Sequence, residues 1–498
     1  MFYWKSAIVL IAMIAFACLS ALVLARSNWE RTATTKLAVA GVFIACITVS
    51  FLPITLSQII FGALLLFCLE RRVPMVASYL FFLIWTPMAA GHLVVAGAYF
   101  VPLKPIISFS LALLAGYVLN PHMRVHRRFN RSDLYLTAFL LTYCVCVSMR
   151  DTGTAAARNF VTYVLPYLLT YHILSRTRIE RPELVLRIFV FAAAAVGFLC
   201  AFEIVRVWPI YSELAPLKGV WVLVDAPGTM LIRGGFFRAM GPFSHPLSAS
   251  AVLGMAGVAF YCLFCLRGSN PALYPLGAAI LLGLFATVSR TGIVALVFGL
   301  VTVQLLRRRY GSVLLIIVAG LILIFGLQAL SHQETEGTAA YRLTLLLGVP
   351  AALGNHLIFG YREAVNTGLL DAFVQGQGIV DLVNVYLAIV VNGGIASLIP
   401  YLFFLASTVS QYRALCRAGP DNAQLLLAQA CIGMQAGFMA AGAFMGAWGT
   451  SMMISIVCVA MIVALRSEVA AVSAVRQKKE AFVIEPIPGD EILPAPRW

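Results

Sequence analysis

LYPLGAAILLGLFATVSRTGIVALVFGLVTVQLL, residues 273–306, would be one unbroken apolar stretch but for Ser289-Arg290-Thr291 at its middle. At 1.5 Å per residue the stretch is too long for one crossing of a hydrocarbon core of about 30 Å. An arginine at the bilayer centre costs about 2.5–3.5 kcal/mol on insertion scales. The pattern therefore predicts two short helices joined by a tight turn, with Arg290 at the outer end. A bare turn is made more cheaply with Gly, Asn or Ser, so Arg290 stands out as a candidate functional residue.

The rest of the chain fits this reading. Of its 498 residues, 61% are hydrophobic and only 11% charged, against roughly 25% charged in soluble domains, and the mean hydropathy is +0.94. The expected fold class is all-α, a polytopic integral membrane protein with about twelve to fifteen transmembrane helices. Candidate spans are 6–25, 37–52, 55–69, 73–95, 103–119, 134–149, 160–175, 184–208, 247–266, 273–288, 291–306, 311–330, 381–408, 423–445 and 449–466. The first run, 7–25, is long enough to be a retained helix rather than a cleaved signal, and no small-x-small site follows it.

The net charge is +15, but its distribution argues against nucleic acid. Basic residues cluster at 26–36, 71–72, 120–133, 176–181, 267, 307–309, 413–417 and in the tail after Arg466. Alternating from 120–133 as cytoplasmic puts all of these on one side, as expected when cytoplasmic loops are enriched in Lys and Arg. Lys5 alone disagrees. The segments 150–159, 209–246 and 331–380 fall on the opposite face, and with them Arg233, Arg238, Arg290, Arg342 and Arg362. Arginines on that face need a different cause. An anionic ligand is the simplest, because the guanidinium stays charged and binds phosphate bidentately.

The eleven cysteines lie almost all inside apolar runs, which leaves no disulfide framework. Cys262-x-x-Cys265 has no second pair, and His122-x-x-x-His126 has no acidic neighbours, so no metal is expected. Glu203 and Arg206 read as a local i,i+3 pair. The first external loop ends RGGFFRAMGPFSHP, 233–246, where Arg233 and Arg238 can clamp a diphosphate beside His245. A basic turn snorkelling to headgroups is the competing reading. The second loop holds Arg342, Asn355-His356, Arg362-Glu363 and an apolar middle, 343–353, expected to be helical. It closes on Asp381, Asn384 and Tyr386, where Asp381 is either a general base or a helix cap.

In order and sidedness these stretches resemble the O-antigen polymerase and ligase family of bacterial cell-envelope proteins. The matching elements are Arg238-x-x-Gly241-x-Phe243-x-His245-Pro246, the Ser289-Arg290 turn, Arg342 early in the large loop, and a loose Asn355-to-Gly360 step. Val383-Asn384-Val385-Tyr386-Leu387, leading to Gly393-Gly394, completes the set. The resemblance covers roughly 200–408. Val383 stands where ligases carry a loop histidine, which favours a repeat-unit polymerase over a ligase, with Asp381 as the substitute base.

Hydropathy, charge and composition divide the chain into 1–208 N-terminal transmembrane helices, 209–246 first external loop, 247–330 transmembrane helices with the Ser-Arg turn, 331–380 large external loop, 381–466 C-terminal transmembrane helices and 467–498 a disordered cytoplasmic tail; the resemblance makes both external loops periplasmic. It implies a bacterial inner-membrane glycosyltransferase with an undecaprenyl-diphosphate-linked glycan as substrate. Membrane lipids, a chain-length regulator and a flippase are the implied partners, and no cofactor or metal is called for. Arg238, Arg290, Arg342, Arg233 and Arg362 would bind the diphosphate. Asp381, with His245 and Glu363 behind it, would handle the proton, and Asn384, Tyr386 and Ser289 would line the substrate. A flippase or carrier is the rival; it calls for ionisable residues deep in the spans and repeated halves. A structural or secretion-pore subunit leaves the external arginines unexplained.

Overall fold

A computed structural model describes the chain except residues 1, 70–72, 96–97, 215–231, 234, 331–334, 375–379, 381, 383, 447–448 and 484–498. For 2–3, 92, 94–95, 98–100, 212–213, 233, 327–330, 335–340 and 474–483 it describes the backbone alone. The N-terminal half runs α1 Phe2–Val23, α2 Asn28–Val49, α3 Ile54–Cys68, α4 Met75–Trp85, a β1 Gly91–Val95/β2 Ala98–Leu103 hairpin, α5 Pro105–Leu119 and α6 Arg131–Ser148. Next come α7 Gly153–Asn159, a π-helical turn Phe160–Val164, α8 Leu165–Leu174, α9 Pro182–Arg206 and α10 Ile210–Leu214. After the small β3 Ile232–Arg233/β4 Phe236–Phe237 pair come α11 Pro246–Arg267, α12 Leu273–Ala286, α13 Arg290–Leu306, α14 Tyr310–Leu330 and α15 Thr335–Leu353. The chain then runs through α16 Val385–Arg417, α17 Asn422–Gly442 and α18 Thr450–Val483.

Among the described residues, seven helices are long and apolar enough to cross a membrane, and six shorter apolar helices accompany them. α14 shows what surrounds them: Leu314, Leu315, Ile322 and Phe325 are each more than 60% exposed. An apolar face of that extent suits lipid and not water. The protein is thus built as a multi-pass helical membrane protein.

Five expectations change. The span 73–95 is not one helix: α4 stops at Trp85 and the chain turns into the β1–β2 hairpin, a small addition to an otherwise helical frame. Pro87 and Gly91 break the helix where hydropathy alone sees a continuous run. The expected loop 150–159 is mostly helix, joined to α8 through the π turn, because Thr152 caps α7. α2 begins at Asn28, under a Ser27 cap, inside the expected basic loop. α18 continues to Val483 and takes in much of the expected tail. The span 381–408 begins as helix only at Val385, and it is two helices: Gly394 has φ +67°, a left-handed conformation inside α16.

The break in α16 is filled by the second loop. The N–H groups of Ile395 and Ala396 donate to the carbonyls of Leu357 and Ile358 (both 3.0 Å), and Tyr361 N–H donates to Val391 (2.6 Å). Backbone groups freed by the kink are thereby satisfied, as a membrane interior demands. A Cβ on Gly394 would overlap the Ile358 carbonyl. Gly394→Ala should therefore destabilise by about 2 kcal/mol or more, from the left-handed strain and the displaced segment together. Thermal unfolding of the detergent-purified variant measures this; an unchanged transition would mean that 357–361 is not seated in the kink.

Helices α9, α11, α12, α13 and α17 cross at glycines. Gly197 meets Gly283, Gly254 meets Gly292, Gly299 meets Gly433, and Gly437 meets Ala295. Small residues let backbones approach where no hydrophobic gain separates helix from lipid. These crossings fix the helices that carry the candidate site.

Candidate functional site

Residues 238–243 form a strap held on three sides. Arg238 Nε donates to the Thr287 carbonyl (3.2 Å) and Ala239 N–H to the Ala286 carbonyl (3.0 Å), which ties the strap to the C-terminus of α12. Met240 and Gly241 donate their N–H groups to the Glu203 carboxylate near the C-terminal end of α9 (3.1 and 2.9 Å). The Pro242 carbonyl accepts from Met88 N–H (3.0 Å). Arg238 is only 7% exposed, with its guanidinium at the α12–α13 turn. The motif found in the first loop and the Ser-Arg turn are therefore one structural unit, brought together by backbone hydrogen bonds.

The turn itself is strained. Val288 has φ +45°, an outlier for a β-branched residue. Reversing the chain between Ala286 and Arg290 leaves it little alternative, and such strain often marks functional positions. Ser289 is the N-cap of α13, yet its hydroxyl makes no capping bond. It is buried and has no hydrogen-bond partner among the described residues. Arg290, half-buried, is the first residue of α13, where the helix dipole opposes a cation. α11 runs parallel to α13, packing Ser250 against Gly292 and Gly257 against Leu296. Two helix N-termini thus lie side by side next to Arg238 and Arg290, an arrangement that favours an anion.

His245 is the N-cap of α11, its Nδ1 accepting from Leu247 N–H at 3.0 Å. That bond places the proton of the neutral ring on Nε2, so His245 is arranged to donate a hydrogen bond and not to take a proton. Burial, with the Arg238 charge, pushes its pKa down to about 4. Unfolded, the imidazole protonates near 6.5. Between those values the unfolded chain binds the extra proton, and acid favours unfolding. Thermal stability should accordingly fall as pH drops from about 6.5 toward 4, and His245→Asn, which caps without titrating, should flatten the fall. Parallel curves for the two proteins would show that His245 is not the titrating group.

The second loop contributes a different surface. Arg342, in α15, sits over the Phe444 ring (5.4 Å to the centroid), just past the end of α17. Arg362 is exposed and pairs with Asp151 (3.3 Å), while Arg150 stacks on Tyr361 (4.3 Å) and Tyr361 on His356 (4.8 Å). These contacts join 150–159 to the large loop, two segments that the charge pattern assigns to one face. Glu363 is exposed and accepts from Asn366 Nδ2 (3.0 Å). Asn384 caps α16, its Oδ1 accepting from the N–H groups of Tyr386 and Leu387 (2.9 and 3.1 Å). The cap considered for Asp381 is thus filled by Asn384; Asp381 itself, like Val383, lies outside the described residues. Tyr386 donates to the Met439 carbonyl (2.7 Å). Arg233 belongs to the β3–β4 pair, with its side chain also outside the described residues.

α13 and α17 are antiparallel, with Ala295 opposite Gly437 and Gly299 opposite Gly433. Continued toward the C-terminus of α17, that register brings Arg290 level with Gly442, where a Cβ would meet the Tyr386 ring. Arg290, Tyr386 and, beyond them, Phe444 with Arg342 therefore line one end of the bundle near the strap. Sequence reasoning passed over Glu203 as a partner of Arg206; instead it binds the backbone of the strap. The available signal was a carboxylate directly after the apolar run 188–202. Arg150 and Asp151 were also missed, because nothing local links them to residues two hundred positions away. No protein-family model matches this chain, and no curated protein matches it.

Proposed function

We propose that the protein is a membrane glycosyltransferase that polymerises undecaprenyl-diphosphate-linked repeat units at the periplasmic face of the bacterial inner membrane. The observation that carries this reading is the union of the Arg238 strap with the Ser289-Arg290 turn at two parallel helix N-termini. Two arginines brought together at paired helix N-termini, with the buried Ser289 hydroxyl, unpartnered among the described residues, at the same turn, support an anion at this place. Diphosphate on a lipid carrier is such an anion at that depth.

In this reading an acceptor sugar hydroxyl attacks the anomeric carbon of the growing chain. The new C–O bond forms as the bond to the phosphate oxygen breaks, and the diphosphate leaves with the electron pair. Arg238 and Arg290 stabilise the charge that develops there; Arg342, and the less central Arg233 and Arg362, attract the substrate. Asp381 accepts the hydroxyl proton, His245 donates a hydrogen bond, and Glu363 stands at the exposed rim.

The test is reconstitution of the full chain in vesicles with an undecaprenyl-diphosphate oligosaccharide. A ladder of products differing by one repeat unit supports a polymerase. Transfer only to a non-prenyl acceptor indicates a ligase, and translocation without a change in mass indicates a flippase; either overturns the proposal. Sidedness has its own readout: a phosphatase fusion after Gly368 should be active and one after Gly419 inactive.

A further inference from the structure

We propose that Glu203 is the positioning residue of the arginine site, a buried carboxylate that sets where Arg238 is presented. It is 0% exposed. Oε2 accepts from both Met240 and Gly241 at the end of the first loop, and Ile210 N–H at the loop's start approaches the same carboxylate. One side chain on α9 thus closes both ends of the loop that delivers Arg238. Gly241 has φ +54° and packs on Val196, Leu199 and Cys200 of the same helix. Without the carboxylate, two buried N–H groups lose their acceptor, and the cheapest remedy is for the strap to lift toward water. Arg238, two residues before Met240, would move with it, away from Thr287 and the Ser289-Arg290 turn. Glu203 bonds to backbone and acts through Arg238.

This inference rests on the reading of the site as a diphosphate clamp, and the experiment separates the two. The full-length protein in lipid nanodiscs is titrated with undecaprenyl diphosphate, and thermal unfolding is recorded for every variant. Arg238→Ala should weaken binding at least about tenfold. Glu203→Ala and Gly241→Ala, which disturb the same turn from its two sides, should each weaken it about tenfold. Glu203→Gln keeps an oxygen able to accept both N–H groups and should restore affinity to within about threefold of wild type.

A merely structural role would lower the unfolding temperature of Glu203→Ala but leave the affinity of the folded fraction unchanged. That result, together with loss of binding in Arg238→Ala, overturns the positioning role and keeps the clamp. Should Glu203→Ala fail to fold, Gly241→Ala decides: folded and binding like wild type, it overturns the proposal. If Arg238→Ala binds as well as wild type, the clamp itself is wrong, and the role of Glu203 falls with it.

Discussion

Asp381→Asn should abolish polymer formation while single lipid-linked repeat units accumulate. A general base contributes typically about 10²–10⁴-fold, and asparagine keeps the size of aspartate without its proton affinity. Asn384, and not Asp381, caps α16, so the substitution leaves the start of that helix intact. A loss of activity can then be read as chemistry. The measurement is product length in membranes carrying the variant at wild-type protein level. Near-normal polymer would remove Asp381 from the mechanism. The base would then have to be sought elsewhere, since Glu363 is exposed and Glu203 is bound to the backbone of the strap.

Arg238→Ala should reduce turnover by about 10²–10³-fold, the usual effect of removing one donor from a site of developing charge. Arg290→Lys should also impair turnover more than protein level, because lysine retains the charge but not the planar fork. The two sites share the α12–α13 turn through the Arg238–Thr287 and Ala239–Ala286 bonds. Their double variant should consequently lose less than the product of the single losses. Turnover per folded protein is the quantity to compare. If both single variants accumulate normally and make polymer of wild-type length, the arginines are headgroup anchors and the clamp is mistaken.

The buried ion pairs at the other end of the bundle follow a different logic. Arg187–Glu30 ties α9 to the start of α2 and Arg267–Glu183 ties the end of α11 to the start of α9, while Arg127–Asp133 holds the segment before α6 to its first turn. They satisfy charges that would otherwise be stranded near apolar surface. Arg238 in the strap instead donates from Nε to the Thr287 carbonyl at the α12–α13 turn.

The sequence alone determined the membrane character and most helix positions, and it singled out the turn at Ser289-Arg290 between two short helices. Hydropathy reports transfer from water to lipid, and that transfer is decided residue by residue in a run of about twenty. The same locality explains its failures. Apolar residues at 86–103 look alike whether they continue α4 or turn back as a hairpin, and only pairing with a neighbouring strand decides. The division of α16 depends on Gly394 meeting the 357–361 segment, a contact between distant parts of the chain. Glu203 illustrates the limit best: its spacing from Arg206 suggests a local pair, whereas folding delivers two buried N–H groups from the strap. A buried carboxylate takes whichever donors the tertiary structure leaves without water, and spacing along the helix carries no record of them.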